Sequence, residues 1–407
     1  MSLQFITGNS GNGKTKYLFN RIVKEAKANP RDNYLVIVPE QFTMQTQRQL
    51  VDLSENKAIM NIDVLSFKRL AYRVFDELGI TNLTVLEETG KDLVLRKLAA
   101  QEADKLGVIG RNLNRIGYIS EVKSLPSELV QYNISPEELG RYIASGSLSD
   151  TLSDKLKDVL VLYEAFEKFM QDKYITAEEI LNVLSNVAEE SAILRNSVIA
   201  FDEFTGFTPI QNQLIKKLFV ISKKIYVTLT IDCREDIFKS RGMQELFDMP
   251  KRTVKSLTEM AAFYGIEVEE PIILDKNYRL AENEELSFME QQLFRKRRCS
   301  FKKVPKHIHI DCLRDPKQEL TKIARRINEL VRNENLRYRD IAIVTGDVNI
   351  YAGYVREIFD KYNIPYFIDA TQEILFHPFI EFIRSIPDIA AQNFSADAVF
   401  RFLRCGF

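Results

Sequence analysis

Gly8-Asn9-Ser10-Gly11-Asn12-Gly13-Lys14-Thr15 fits the pattern G-x-x-x-x-G-K-[ST] at every fixed position. A short apolar run, Leu3 to Thr7, precedes it, and apolar residues recur at helical spacing from Thr15 to about Ala28. Strand, glycine-rich turn and helix in that order is the context a phosphate-binding loop requires. The glycines let backbone N–H groups turn inward around phosphate oxygens, and the helix N-terminus adds its partial positive charge. In such a loop Lys14 reaches the β- and γ-phosphates, and the Thr15 hydroxyl binds Mg²⁺. All eight residues are candidate ATP-binding groups. The alternative, a glycine-rich turn with a chance lysine, is disfavoured by the flanking elements.

Phosphate loops work with a second carboxylate at the end of a neighbouring strand. Val198-Ile199-Ala200-Phe201-Asp202-Glu203 offers one, four apolar residues and then two acids. Asp202 is the candidate acid on the Mg²⁺ side, with Thr15. Glu203 is the candidate catalytic residue that orients or deprotonates the attacking water. Alone, an apolar strand ending in acids is equally a solvated strand end; paired with the loop it reads as a site. Elsewhere, residues 295–306 carry seven basic side chains in twelve, including Arg297, Arg298, Lys302 and Lys303. They either neutralise DNA phosphates or form a solvated linker.

The chain of 407 residues is long enough for two or three domains. With 56 basic and 57 acidic residues it has no global field toward nucleic acid or membrane, so such contacts need a local patch. Four cysteines without metal-ligand spacing and three scattered histidines give no metal site, and the thiols read as reduced in a cytoplasmic protein. No signal peptide and no membrane-spanning run is visible.

The elements that must position the loop and the acids alternate strand and helix. Tyr34–Val38, residues 62–66, 197–204 and 225–232 read as strands, with helices between them up to Leu53 and over 67–78. That pattern predicts a parallel sheet with helical crossovers. Between 84 and 195 long helical stretches dominate, such as 154–174. After the basic stretch, runs at 307–313, 340–346 and 365–369 alternate with helices at about 317–333 and 351–362. The expected architecture is α/β: a phosphate-loop domain from 1–80 and 190–295, a helical insertion at 81–190, and the start of a second α/β domain over 300–407. A helix start at Ser395–Leu403 with no capping element after it suggests the N-terminal part of a longer protein.

Several segments resemble superfamily 1 helicases of the UvrD/Rep type, a resemblance that implies that both α/β domains, 1–80 with 190–295 and 300–407, are RecA-like. DEFTGFTPIQNQLIKKL (202–218) is similar to their motif II, and Val64 to Ala71 looks like the segment that touches single-stranded DNA. Asn277-Tyr278-Arg279 resembles motif IV, whose arginine reaches the γ-phosphate, and 338–369 looks like the opening of the second motor domain. Within that superfamily, the start at the phosphate loop, VPEQFT (38–43) and DEFTGFTPIQ (202–211) resemble the B subunits of bacterial AddAB helicase–nucleases. The resemblance implies ATP and Mg²⁺ as cofactors, Arg279 as a catalytic residue, and DNA contacts at Gln41, Ser66 and Phe67, with Phe67 a base-stacking candidate. It also implies repair of double-strand breaks by recombination, DNA ends and single strands as substrates, a hotspot sequence read on the exiting strand, and an AddA-type partner in a heterodimer. The family's nuclease domain and iron–sulfur cysteines fall beyond residue 407.

The sequence also departs from an active motor. No adenine-reading glutamine fits before residue 3, and motif III reads Ile231-Asp232-Cys233-Arg234-Glu235-Asp236 without its glutamine. Two readings follow. One is an ATP-using helicase or translocase; the other is a degenerate motor kept as a DNA-binding scaffold. A metabolic phosphate-loop kinase is disfavoured by the long separation of Thr15 and Asp202.

Overall fold

A computed structural model of the chain describes residues 1–81, 84–107, 118–132, 134–145, 148–170, 174–176, 178–295, 299–370, 374 and 377–406, with 88 and 118–123 described by backbone alone. It divides into two compact units, residues 1–302 and 303–407.

The first unit opens with β1 (Ser2–Gly8), α1 (Lys14–Ala28), β2 (Tyr34–Ile37), α2 (Thr43–Leu53), β3 (Ile62–Leu65) and α3 (Phe67–Leu78). Next come β4 (Val85–Leu86), α4 (Glu88–Gln101), α5 (Tyr118–Gln131), α6 (Pro136–Ala144), α7 (Asp150–Met170) and β5 (Ile175–Thr176). The α/β alternation returns with α8 (Ile180–Val187), β6 (Val198–Phe201), α9 (Pro209–Ile221), β7 (Lys224–Thr230), α10 (Asp248–Phe263), β8 (Glu267–Val268), β9 (Ile272–Leu274) and α11 (Glu284–Gln292).

These strands build an α/β layer structure around a seven-stranded sheet in the order β3-β2-β6-β7-β1-β8, with β9 also on β1. Every pairing in it is parallel. Parallel strands need cover on both faces, and the sequence supplies it by alternation. Ile6, Val36, Ala200 and Tyr226 pack with Leu18, Phe19 and Ile22 of α1 on one face. Phe5, Ile37, Phe201 and Val227 pack with α3, α8 and α9 on the other. All strands point their C-terminal ends the same way, so the loops after β1, β6 and β7 meet at one edge, where ligands bind in open α/β sheets.

Helices α4 to α7 surround a separate core of Leu95, Leu98, Leu139, Val159, Leu162, Tyr163 and Phe166. Helix α8 instead contributes Ile180 and Leu184 to the sheet's core.

The second unit holds α12 (Pro316–Asn333), α13 (Val348–Lys361), α14 (Pro378–Ala391) and α15 (Ala396–Arg404). Here the sequence expectation is corrected: residues 307–313, 340–346 and 365–369 form no strands. Ile310, Val344 and Phe367 are about nine-tenths exposed. Alternation predicts an extended backbone, but a strand also needs a neighbour's hydrogen bonds and cover for its apolar side chains. Among the described residues one small core forms, between α12 and α13, from Leu320, Ala324, Ile327, Ile358, Phe359 and Ile364.

Candidate nucleotide site

Gly8 ends β1, and the loop that follows delivers Lys14 and Thr15 to the first turn of α1. A cleft of about 860 Å³ opens there, lined by the loop, by Asp202 and Glu203 after β6, by Thr228 and Thr230 of β7, and by Tyr278 and Arg279. That volume suits a small-molecule ligand. Phe42, Gln45, Thr46 and Gln49 close another side.

The loop is held in shape from outside. Asn12 donates to the Leu274 carbonyl (2.6 Å), Asn277 donates to the Ser10 carbonyl (3.0 Å), and the Tyr278 N–H donates to the Gly11 carbonyl (3.0 Å). Asn9 donates to Glu290 Oε1 at 2.7 Å. Two glycines are needed for this close approach. A Cβ on Gly8 would stand 2.6 Å from the Leu274 carbonyl oxygen. On Gly11, at φ +92°, it would meet Asn277 Oδ1 at 2.6 Å.

The charged groups converge. Lys14 Nζ donates to the Gly8 and Asn9 carbonyls, both at 3.1 Å. Burial lowers its pKa, with Glu203 and Asp202 opposing that fall. Thr15 Oγ1 donates to Glu203 Oε1 at 3.3 Å. Asp202 is 1% exposed; Thr228 donates to its Oδ1, while Oδ2 is buried with no hydrogen-bond partner among the described residues. Burial and the neighbouring Glu203 charge push the Asp202 carboxyl up, and hydrogen bonding by Thr228, Thr15 and the Glu203 N–H works the other way. Glu203 has φ +64°, an uncommon conformation for a residue with a side chain. Arg279 Nη1 donates to Ser10 Oγ at 3.3 Å, at the mouth of the cleft.

The donor set fits a nucleotide with a divalent cation. One oxygen of the buried Asp202 carboxylate has no hydrogen-bond partner among the described residues, the Thr15 hydroxyl acts on the same carboxylate, and the glycine loop leaves room where side chains would intrude. Among the described residues no three His, Cys, Asp or Glu side chains gather into a protein-only metal site. A cation here would share its coordination with phosphate oxygens, as Mg²⁺ characteristically does.

The structure thus brings Gly8 to Thr15, Asp202, Glu203 and Arg279 together. Of the DNA candidates in the first unit, Gln41, Ser66 and Phe67 are not among the residues lining the cleft. Phe67 is corrected: its ring is only 7% exposed and packs on Phe201 (5.8 Å), Phe204 (5.5 Å) and Phe207 (6.3 Å), so it is core and has no face for a base. Ser66 is buried too, capping α3 by accepting from the Arg69 N–H and donating to Glu40. Gln41 is exposed in the turn before α2. Lys302 and Lys303 are exposed, and Arg297 and Arg298 lie outside the described residues. Arg295, first of the basic stretch, is tied to Asp232 rather than free.

Sequence reasoning misses three contributors. Asn277 and Tyr278 read in the sequence only as companions of Arg279, yet one braces the loop and the other presents a 65% exposed ring to the cleft. Thr228 leaves a weak signal, a threonine among the buried residues Ile225 to Leu229 of β7. Gln211, by contrast, is explained by the fold: it forms a capping box with Thr208 at the start of α9.

A parallel α/β unit whose first strand delivers a glycine-rich loop, with a buried acid from a second strand facing it, is the class the fold and cleft define. Within that class, the chain matches the family model described as ADDB, N-terminal, over residues 5–290, and it belongs to that family. Over its whole length it is 38% identical to a Lachnoclostridium phytofermentans protein named among the B subunits of ATP-dependent helicase/deoxyribonucleases. Proteins of the same name from Clostridium acetobutylicum and Clostridium tetani are 33% and 32% identical, again over the whole chain. The chain spans 35–36% of the length of these relatives.

Proposed function

We propose that residues 1–302 form a RecA-like unit that binds ATP with Mg²⁺ in the cleft at the strand ends. The observation that carries this reading is the buried Asp202 carboxylate, one oxygen without a hydrogen-bond partner among the described residues, lining the same cleft as the glycine loop and Lys14. A buried charge with only one of its oxygens hydrogen-bonded is costly, and a ligand-borne cation would relieve that cost. In this reading Lys14 exchanges its two carbonyl bonds for phosphate oxygens, and the α1 N-terminus adds its dipole. Thr15 and Asp202 hold the cation, which offsets phosphate charge. Glu203 orients a water, and Arg279 swings from Ser10 toward the terminal phosphate.

The kinship to helicase/deoxyribonuclease B subunits supports a role on DNA in recombinational break repair, with an AddA-type partner. No helix among the described residues is long and apolar enough to cross a membrane. One observation favours binding over turnover. Asp232, where a coupling motif would sit, is 1% exposed and engaged by Arg234 (Nε at 2.9 Å) and Arg295. It is a structural anchor with no free side chain turned to a nucleotide. Calorimetry tests the reading: Mg²⁺–ATP binds the wild-type chain, and Lys14→Ala removes the binding because the loop loses its one cationic side chain. Equal affinity in both proteins would refute it.

A further inference from the structure

Strand β7 separates β6 from β1, so it stands between the acid and the phosphate loop. Alternation puts Val198, Ala200 and Asp202 on the face that carries α1, and Tyr226 and Thr228 on the same face. The register pairs Phe201 with Val227 and Ile6 with Thr228. Asp202, Thr228 and Ile6 therefore form one lateral row under the loop. Ile6 offers no acceptor, and Thr228 is 3% exposed. Its hydroxyl donates to Asp202 Oδ1. The preceding residue on this face, Tyr226, instead spends its hydroxyl on Glu25 of α1, at 2.8 Å.

We infer that Thr228 is a positioning residue of the nucleotide site, an inference that rests on the ATP–Mg²⁺ reading above. By occupying Oδ1 it fixes the rotation of a carboxylate whose other oxygen has no hydrogen-bond partner among the described residues, so Oδ2 is the atom left for the cation and its waters. A carboxylate without that bond turns about its Cβ–Cγ bond and divides its charge between orientations. Outer-shell partners of metal-binding carboxylates act in this way, and their loss costs about 10- to 100-fold in metal affinity. A threonine serving only to fill the β7 position would leave metal affinity untouched when replaced by an isostere.

The test measures binding of a non-hydrolysable ATP analogue to the full 407-residue chain, titrating Mg²⁺ at fixed analogue and repeating with EDTA. Thr228→Val keeps shape and removes the donor; Thr228→Ser keeps the donor and removes a methyl. The expected result is a half-saturating Mg²⁺ concentration raised about 10- to 100-fold in T228V and near wild type in T228S, with metal-free analogue affinity alike in all three. In an Asp202→Ala background, T228V adds nothing further. Melting curves report folding, and T228A carries the same test should valine disturb the strand. Wild-type Mg²⁺ dependence in T228V, or an undiminished effect in the Asp202→Ala background, overturns the inference while leaving nucleotide binding intact. No analogue binding by the wild type overturns both it and the reading beneath it.

Discussion

Replacing Gly11 by alanine probes a position that the loop motif leaves free. The pattern fixes Gly8, Gly13, Lys14 and Thr15, whereas residue 11 falls among its variable positions. The structure is less permissive. At φ +92° a side chain is strained by about 1–2 kcal/mol, and the new Cβ would meet Asn277 Oδ1 at 2.6 Å and Arg279 Cβ at 2.8 Å. Asn277 must then move, and its amide donates to the Ser10 carbonyl (3.0 Å) while its oxygen accepts from the Arg279 and Leu280 N–H groups, both at 3.1 Å. Three partly exposed bonds at about 0.5 kcal/mol each, the low end of the usual range, bring the total to roughly 3 kcal/mol. That cost falls on the loop conformation rather than on the sheet. The expected outcome is nucleotide affinity lower by roughly 100-fold, at 1.4 kcal/mol per factor of ten, with little change in melting temperature. Gly79→Ala is the control: it too has positive φ, +68°, but nothing lies within 4 Å of its Cβ, so affinity is unchanged. Calorimetric affinity of G11A within threefold of wild type would refute the bracing argument.

Other outcomes follow from the same geometry. Burial pushes the Asp232 carboxyl up, but hydrogen bonds from Arg234 and the charges of Arg234 and Arg295 outweigh it and hold the group at about 2, below its ordinary 3.8. Its folded value is depressed, so its stabilisation is full above pH 4 and is lost as pH falls through 2. Denaturation of Asp232→Asn should show a deficit of about 2 kcal/mol at pH 7 that shrinks on acidification below 4; a constant deficit would contradict this. Replacing Arg297, Arg298, Lys302 and Lys303 together by Ser should flatten the dependence of DNA affinity on salt, and an unchanged slope would make the stretch a linker. Turnover of bound ATP should stay far below the roughly 1 s⁻¹ of competent phosphoryl-transfer enzymes, with or without single-stranded DNA. A DNA-stimulated rate at that level would show a working motor.

What the sequence makes legible is local. Four apolar residues ahead of Asp202 and the glycine loop ahead of Thr15 declare themselves because strand, turn and helix signals lie within a few residues of each other. The brace on the loop does not, since Asn9 meets Glu290 and Asn12 meets the Leu274 carbonyl only after more than 260 intervening positions. Phe67 misleads for a related reason. An aromatic residue beside a helix start looks the same whether it faces solvent or three phenylalanines, and Phe201, Phe204 and Phe207 decide the matter from another part of the chain. The runs at 307–313, 340–346 and 365–369 carry the strand pattern without the ladder, because hydrogen-bonding partners are not a property of the run itself.

Glu203 is where folding and the proposed chemistry ask for different residues. Its backbone, at φ +64°, is one that glycine adopts freely and asparagine tolerates. Its side chain, against the Thr15 hydroxyl, calls for an acid. Selection for thermal stability alone would therefore drift this position toward Gly or Asn, a relief of about 1 kcal/mol. Selection for activity at the cleft would hold Glu and carry the strain. The same chain placed under the two regimes would diverge first at this residue, and the direction of drift would report whether the site still does work in the cell.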